Sequence, residues 1–207
     1  DQAQEKYGQP LTNIVYMGMG EPLLNYANVL KSVEQITSPA GLGMSPRRIT
    51  VSTAGIAKMI QKLGDDQVKF NLALSLHAAN DTKRNQIMPI NESNTLESLK
   101  AALLYFFDKT GNDITLEYIV FNKFNDTIED ARELYEFAKG IPCKINLIEY
   151  NPIAQSSFVN AEADAIAKFS AFLESKRMIV NIRRSRGRDI DAACGQLAGK
   201  KAPVVDA

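Results

Sequence analysis

The sequence predicts an α/β fold, a parallel sheet wound as an open β/α barrel, and three observations carry that reading. Short β-branched and apolar runs alternate with helical patterns along the whole chain. Gly, Asn and Pro bound the runs. No repeat, linker or low-complexity stretch interrupts the alternation, so one domain over residues 1–207 is expected.

Six segments read as strands: Thr12–Met17, Arg48–Ser52, Val68–Leu76, Ile114–Phe121, Lys144–Tyr150 and Ile179–Arg183. Several, such as Phe70-Asn71-Leu72-Ala73-Leu74, are apolar on both faces, as suits a parallel sheet covered by helices. Asn25 is placed to cap a helix through about Ile36, with Val29, Leu30, Val33 and Ile36 at helical spacing. Gly55–Leu63, Thr95–Asp108, Thr127–Lys139 and Glu162–Arg177 follow the same logic. Strand and helix in turn imply a right-handed wind. Asp1–Pro10 is polar and is expected to lead straight into the first strand with no helix before it. The count, about five β/α units and a final strand, falls short of the eight of a closed barrel. The expectation is therefore a partial barrel whose first β/α unit is missing upstream.

Composition bounds the function. The 207 residues, 45% of them apolar, suffice for one sizeable core. No apolar run approaches the roughly 18 residues of a membrane span. Lys and Arg number 24 and so do Asp and Glu, so affinity for nucleic acid must come from local clustering. The two cysteines, Cys143 and Cys194, are too far apart for metal-ligand spacing, and their scarcity fits a reducing, cytoplasmic setting.

In β/α folds ligands bind where strands end at their carboxyl side. Those positions hold Gly18-Met19-Gly20-Glu21-Pro22, Ser52-Thr53-Ala54-Gly55, Ser75-Leu76-His77-Ala78, Asn122 and Asn151-Pro152. Glycines admit a ligand close to backbone; hydroxyls and amides read riboses, carboxylates and amino groups. Glu21 is the carboxylate placed to pair with a cationic amine. The set suits a nucleoside or amino-acid pocket and offers no Ser–His–acid or paired-carboxylate arrangement. Bland alternatives stay open: a tight turn at Gly18–Pro22, satisfied hydroxyls at Ser52 and Ser75, a structural role for His77. Cys143, at the start of a strand, reads as an inert thiol. Cys194 stands between Ala193 and Gly195, small neighbours that leave its sulfur approachable. Upstream, Lys176, Arg177, Arg183, Arg184, Arg186 and Arg188 form a run without an acid between them, either a solvated loop or a phosphate contact.

The motifs Gly18-Met19-Gly20-Glu21-Pro22-Leu23-Leu24-Asn25, Val51-Ser52-Thr53-Ala54-Gly55, Leu74-Ser75-Leu76-His77-Ala78, Ile145-Asn146-Leu147-Ile148 with Asn151-Pro152, and Asp189–Leu197 resemble, in order, the radical S-adenosylmethionine adenine-C2 RNA methyltransferases of the RlmN type. The resemblance implies a barrel of the radical S-adenosylmethionine type. It implies S-adenosylmethionine held by Gly20, Glu21, Ser52, Ser75, Leu76, His77 and Asn151. Cys194 would be the catalytic methyl carrier, methylated on sulfur and then stripped of hydrogen by a deoxyadenosyl radical. The resulting carbon radical adds to C2 of adenine, a carbon too poor a nucleophile for direct transfer. The substrates implied are 23S ribosomal RNA and the transfer-RNA adenine next to the anticodon. A [4Fe-4S] cluster and an electron donor such as flavodoxin are implied as well.

The sequence departs from the family in lacking the Cys-x-x-x-Cys-x-x-Cys run that binds the cluster, and two distant thiols cannot replace it. The chain is therefore expected to be truncated at its N-terminus, without the cluster segment, the resolving cysteine and an RNA-binding domain, and inactive alone. Two other readings compete: the related adenine-C8 methyltransferase of antibiotic resistance, and a non-catalytic RNA- or nucleotide-binding remnant. An aldolase-like barrel would want a Schiff-base Lys or paired carboxylates at strand ends, and neither occurs.

Overall fold

The computed structural model describes residues 2–152 and 157–184. The polar leader forms a helix, α1 (Gln2–Tyr7), where the sequence predicts none. Its residues, Gln, Ala, Glu and Lys, are good helix formers without an apolar stripe, so periodicity gave no signal there. Then follow β1 (Ile14–Tyr16), α2 (Tyr26–Thr37), β2 (Ile49–Thr53), α3 (Ala57–Asp65), β3 (Asn71–Ser75), α4 (Asp81–Ile87), α5 (Leu96–Thr110), β4 (Ile114–Val120), α6 (Ile128–Ala138), β5 (Cys143–Glu149), α7 (Ala163–Ser175) and β6 (Ile179–Arg183).

The six strands form one sheet in chain order, every neighbouring pair parallel. Right-handed crossovers between strands taken in order place every connecting helix on the same side, which is the open β/α wind the sequence predicts. Register separates two faces. Ser52 lies opposite Ala73, and Ser75, Glu117, Asn146 and Asn181 are successive partners across four strands. The opposite parity supplies Val51, Leu72, Leu74, Leu116, Tyr118, Ile145 and Leu147, all buried in the main apolar cluster with Leu63, Leu99, Phe106, Leu134 and Phe169 from the helices. The strands are thus apolar towards the helices and largely polar on the inner face, not apolar on both as Phe70–Leu74 suggests. Each fully buried Leu or Phe stabilises the fold by roughly 1.5–3 kcal/mol.

Local signals set the helix ends. Thr95 caps α5 by accepting from the Ser98 amide, and Gly111 ends it with φ 62°. Thr127 and Asp130 form a capping box on α6. Asn25 does stand at the start of α2, but its side chain accepts from Asn28 Nδ2 at 2.7 Å and bonds no backbone amide. A 3-10 turn over Pro22–Asn25 leads into that helix, and Glu21 caps the turn.

Candidate functional site

The carboxyl ends of β1, β2 and β3 bring together three of the predicted segments. Gly18, Gly20, Glu21 and Pro22 line an open cleft of about 610 Å³ beside β1, within the usual range for small-molecule sites. Gly20 takes φ +85°, a conformation L side chains rarely adopt. Glu21 turns both carboxylate oxygens onto backbone: Oε1 accepts from Leu23 N at 2.9 Å and Oε2 from Ala54 N at 2.6 Å. One side chain so fixes the loop after β1 against the loop after β2. Each carboxylate oxygen retains a further lone pair with which a ligand amine can bond.

Ser52 and Ser75 end the inner faces of β2 and β3, their hydroxyl oxygens 3.4 Å apart. Leu76 is fully buried, its amide donating to Glu117 O at 2.9 Å and its carbonyl accepting from Arg84 Nε at 3.1 Å. The next residue, His77, takes φ 56°. Its Nδ1 accepts from the Ile119 amide at 3.1 Å, which leaves the proton of the neutral ring on Nε2. Asn125, wholly buried, donates to His77 O at 2.6 Å and to Ile119 O at 2.8 Å and so pins this turn to β4. Asn151, just past β5, is buried.

Although His77 keeps some solvent contact, protein crowds its ring, and burial, with the Arg84 charge second, pushes the imidazole down to about 4. Unfolded, it would ionise near about 6.5. As pH falls between these values the unfolded chain takes up the proton first, so this group lowers stability progressively from about 6.5 towards about 4 and is neutral in effect above. His77→Asn keeps an acceptor for Ile119 N–H and tolerates the left-handed backbone. Denaturant titrations across that pH range are expected to show a shallower decline for the variant than for the parent.

Buried polar groups that the strand-end rule does not single out include Asn125 and two charged residues, Glu117 and Arg84. Glu117, mid-strand on β4, is 4% exposed, accepts from Asn146 Nδ2 at 2.9 Å and meets Arg183 Nη1 at 3.5 Å. Burial raises its carboxyl above the usual range, the hydrogen bond from Asn146 and the Arg183 charge opposing. Arg84, on α4, is fully buried beneath the loops after β2 and β3. The strand-end rule looks only at residues directly after strands, and neither position is one.

The basic run is not one patch. Lys176 and Arg177 precede β6, where Lys176 Nζ lies 5.7 Å from the Phe172 ring centroid, whereas Arg183 and Arg184 lie at and past its carboxyl end. A five-residue strand, roughly 17 Å long, separates the two groups. Nor is the run without a neutralising acid, because Glu117 reaches Arg183 from two strands away. Arg186, Arg188 and the whole Asp189–Leu197 motif with Cys194 lie outside the described residues. Cys143 opens β5, and burial pushes its thiol up to about 12, consistent with an inert side chain. Among the described residues no group of three or more His, Cys, Asp or Glu is placed to hold a metal ion, and no helix is long and apolar enough to cross a membrane.

This architecture recurs in solved structures. A radical SAM methyltransferase from Sphaerobacter thermophilus superposes with a TM-score of 0.91 at 37% identity, over 94% of this chain and 57% of that one. A domain of pyruvate-formate lyase-activating enzyme from Bacteroides vulgatus, at 13% identity and TM-score 0.63, shares the fold alone. A probable dual-specificity RNA methyltransferase RlmN from Cytophaga hutchinsonii is 65% identical over 199 residues, 96% of this chain. The chain belongs to the RlmN family. A dual-specificity RlmN from Nautilia profundicola is 43% identical over 189 residues. The chain spans about half the length of these curated RlmN relatives, 54% and 53% respectively. No family model matches it.

Proposed function

We propose that these residues carry the S-adenosylmethionine site and the methyl-accepting Cys194 of an enzyme that methylates C2 of adenine in 23S ribosomal RNA and in transfer RNA beside the anticodon. The observation that carries the proposal is convergence at one end of the sheet: Glu21 bonds the loop after β2 by accepting from the Ala54 amide, and Ser52 and Ser75 of the neighbouring strands meet through their hydroxyls. Glu21 would hold the cofactor's amine at the open backbone of Gly20. Ser52, Ser75 and Asn151 supply hydroxyl and amide groups for its remaining polar atoms, His77 a neutral ring, and Leu76 its backbone. Bound there, the cofactor supplies the methyl group and the one-electron chemistry that an unreactive aromatic carbon demands.

The iron–sulfur cluster does not fit the residues in hand. Anchoring it takes thiolates from one short run, whereas this chain has two cysteines, one of them with its thiol pushed up to about 12. Its ligands must come from outside these 207 residues, and an electron donor such as flavodoxin would serve that part. Substrate RNA would be met at the carboxyl end of β6, where Arg184 is exposed ahead of the Cys194 motif. Cytoplasmic RNA is the setting this chemistry implies, with residues 1–207 acting as one unit.

The test is product analysis by the full-length protein, with its cluster reconstituted, on 23S ribosomal RNA and transfer RNA fragments. Methylation at adenine C2, located by nuclease digestion and mass spectrometry, is the expected result. Product at C8 would assign the antibiotic-resistance chemistry, and binding of RNA without product would leave only a binding remnant.

A further inference from the structure

We propose that Arg84 is the positioning residue of the cofactor site: its guanidinium clamps the backbone after β2 to the backbone after β3 and thereby sets the spacing of the groups that read one ligand. The proposal rests on the S-adenosylmethionine reading above and adds to it a residue that touches no ligand.

Arg84 comes from α4, a short polar helix capped by Asn80, whose side chain accepts from Lys83 N at 3.2 Å. Its side chain is fully buried, which an arginine seldom is. Four hydrogen bonds hold the guanidinium. Nη2 donates to Ala54 O at 2.6 Å and to Ser75 O at 3.2 Å. Nε donates to Leu76 O at 3.1 Å, and Nη1 to Asn91 Oδ1 at 2.7 Å. Three of the four acceptors are backbone carbonyls at the carboxyl ends of two adjacent strands. They lie in the segments Ser52–Gly55 and Ser75–His77, which hold Ser52, Ser75, Leu76 and His77 of the proposed cofactor site.

The cation has no direct carboxylate partner among the described ion pairs. Asp81 stands one residue removed, accepting from Asn91 Nδ2 at 2.8 Å. Burial accordingly lowers the arginine to about 10, with Asp81 opposing. Stability alone is a weak reason to keep so costly a group, because an apolar side chain of similar volume is often neutral or better at a buried ionic site. Its planar fork, with donors fixed in direction, is what the geometry uses.

Two further contacts tie the clamp to function. Gly55 takes φ +106°, and a Cβ there would lie 3.0 Å from Leu99 Cδ2, 3.1 Å from Leu74 Cδ1 and 3.2 Å from Nη2, so the glycine lets the loop pack closely on both the core and the guanidinium. Ala54 links the clamp to Glu21, its amide donating to Glu21 Oε2 and its carbonyl accepting from Arg84. The carboxylate, the two serine hydroxyls 3.4 Å apart and the His77 turn therefore belong to one hydrogen-bonded frame centred on Arg84.

Arg84→Lys and Arg84→Gln in the full-length holoenzyme test this. Lysine keeps the charge but its three donors radiate from one atom and cannot span both loops; glutamine keeps neither charge nor reach. Under the proposal both variants, assayed below the temperature at which circular dichroism shows unfolding, bind S-adenosylmethionine at least tenfold more weakly by calorimetry. KM for the cofactor rises to match, while kcat at saturating cofactor stays within about threefold, because no reacting atom has been removed. A merely structural arginine would lower the unfolding temperature and leave cofactor affinity unchanged. A folded Arg84→Lys protein with affinity within twofold of the parent overturns the proposal, and this variant decides alone if Arg84→Gln does not fold. Absence of S-adenosylmethionine binding by the parent would instead sink the cofactor reading, and the positioning role with it.

Discussion

In the full-length protein Cys194→Ala is expected to abolish the methyl transfer to RNA proposed above, with S-adenosylmethionine binding within about twofold of the parent. The expected loss in turnover is on the order of 10³-fold or more, the size seen when a covalent nucleophile is removed outright. The two cysteines of the chain offer an internal control. Cys143 sits at the first position of β5, where burial pushes its thiol up to about 12, so almost none is thiolate at neutral pH. Cys143→Ala should remove only packing, about 1 kcal/mol of stability, and leave turnover intact. Cys194 lies between Ala193 and Gly195, small neighbours in the sequence. Peptide mass mapping should find a methyl group on Cys194 in the active full-length protein and none on Cys143. If Cys143 proved essential and Cys194 dispensable, the assignment of the methyl carrier would be wrong.

Glu21→Gln should weaken S-adenosylmethionine binding by about tenfold to a hundredfold, the second largest effect expected. The carboxylate has two acceptor oxygens and both meet backbone N–H groups, Leu23 N at 2.9 Å and Ala54 N at 2.6 Å. An amide has one acceptor oxygen, so in either flip an NH₂ group faces an N–H and one donor is left unpaired. Hydrogen bonds to a charged group contribute about 1.5–3 kcal/mol each, and about 1.4 kcal/mol corresponds to a factor of ten. On the proposed reading, loss of the negative charge would also remove the attraction for the cofactor's amine. Calorimetric titration reads affinity and urea unfolding reads the accompanying loss of stability. Unchanged affinity in a folded Glu21→Gln protein would place the amine elsewhere in the site.

Much of this molecule was legible before folding was considered. The strands after Asn13 followed from β-branched runs, and long helices such as α5 and α6 followed from apolar spacing and from Thr95 and Thr127 at their caps. Motif order carried the family, and the motifs around Glu21, Ser52 and Ser75 stand at or just past the carboxyl ends of β1, β2 and β3. Short polar helices were not legible. Neither α1 nor α4 has an apolar stripe, and the buried face of α4 is presented by an arginine.

By itself, then, the sequence determined the alternation of strand and helix and the caps of α5 and α6, and it proposes Gly20, Glu21, Ser52, Ser75, Leu76, His77, Asn151 and Cys194 as a set. These depend on interactions within a few residues of chain. The tertiary structure alone decided what joins the set. Glu21 grips Ala54 across 33 residues, Arg84 reaches Ala54 across 30, and Glu117 meets Arg183 across 66. Register decided as well that Ser75, Glu117, Asn146 and Asn181 share a rung, and a five-residue strand set Lys176 and Arg177 at the opposite end from Arg183 and Arg184. The physical reason is the same in each case. A side chain's partners across a sheet are set by strand order and pleat, and neither is written in the spacing of neighbours along the chain.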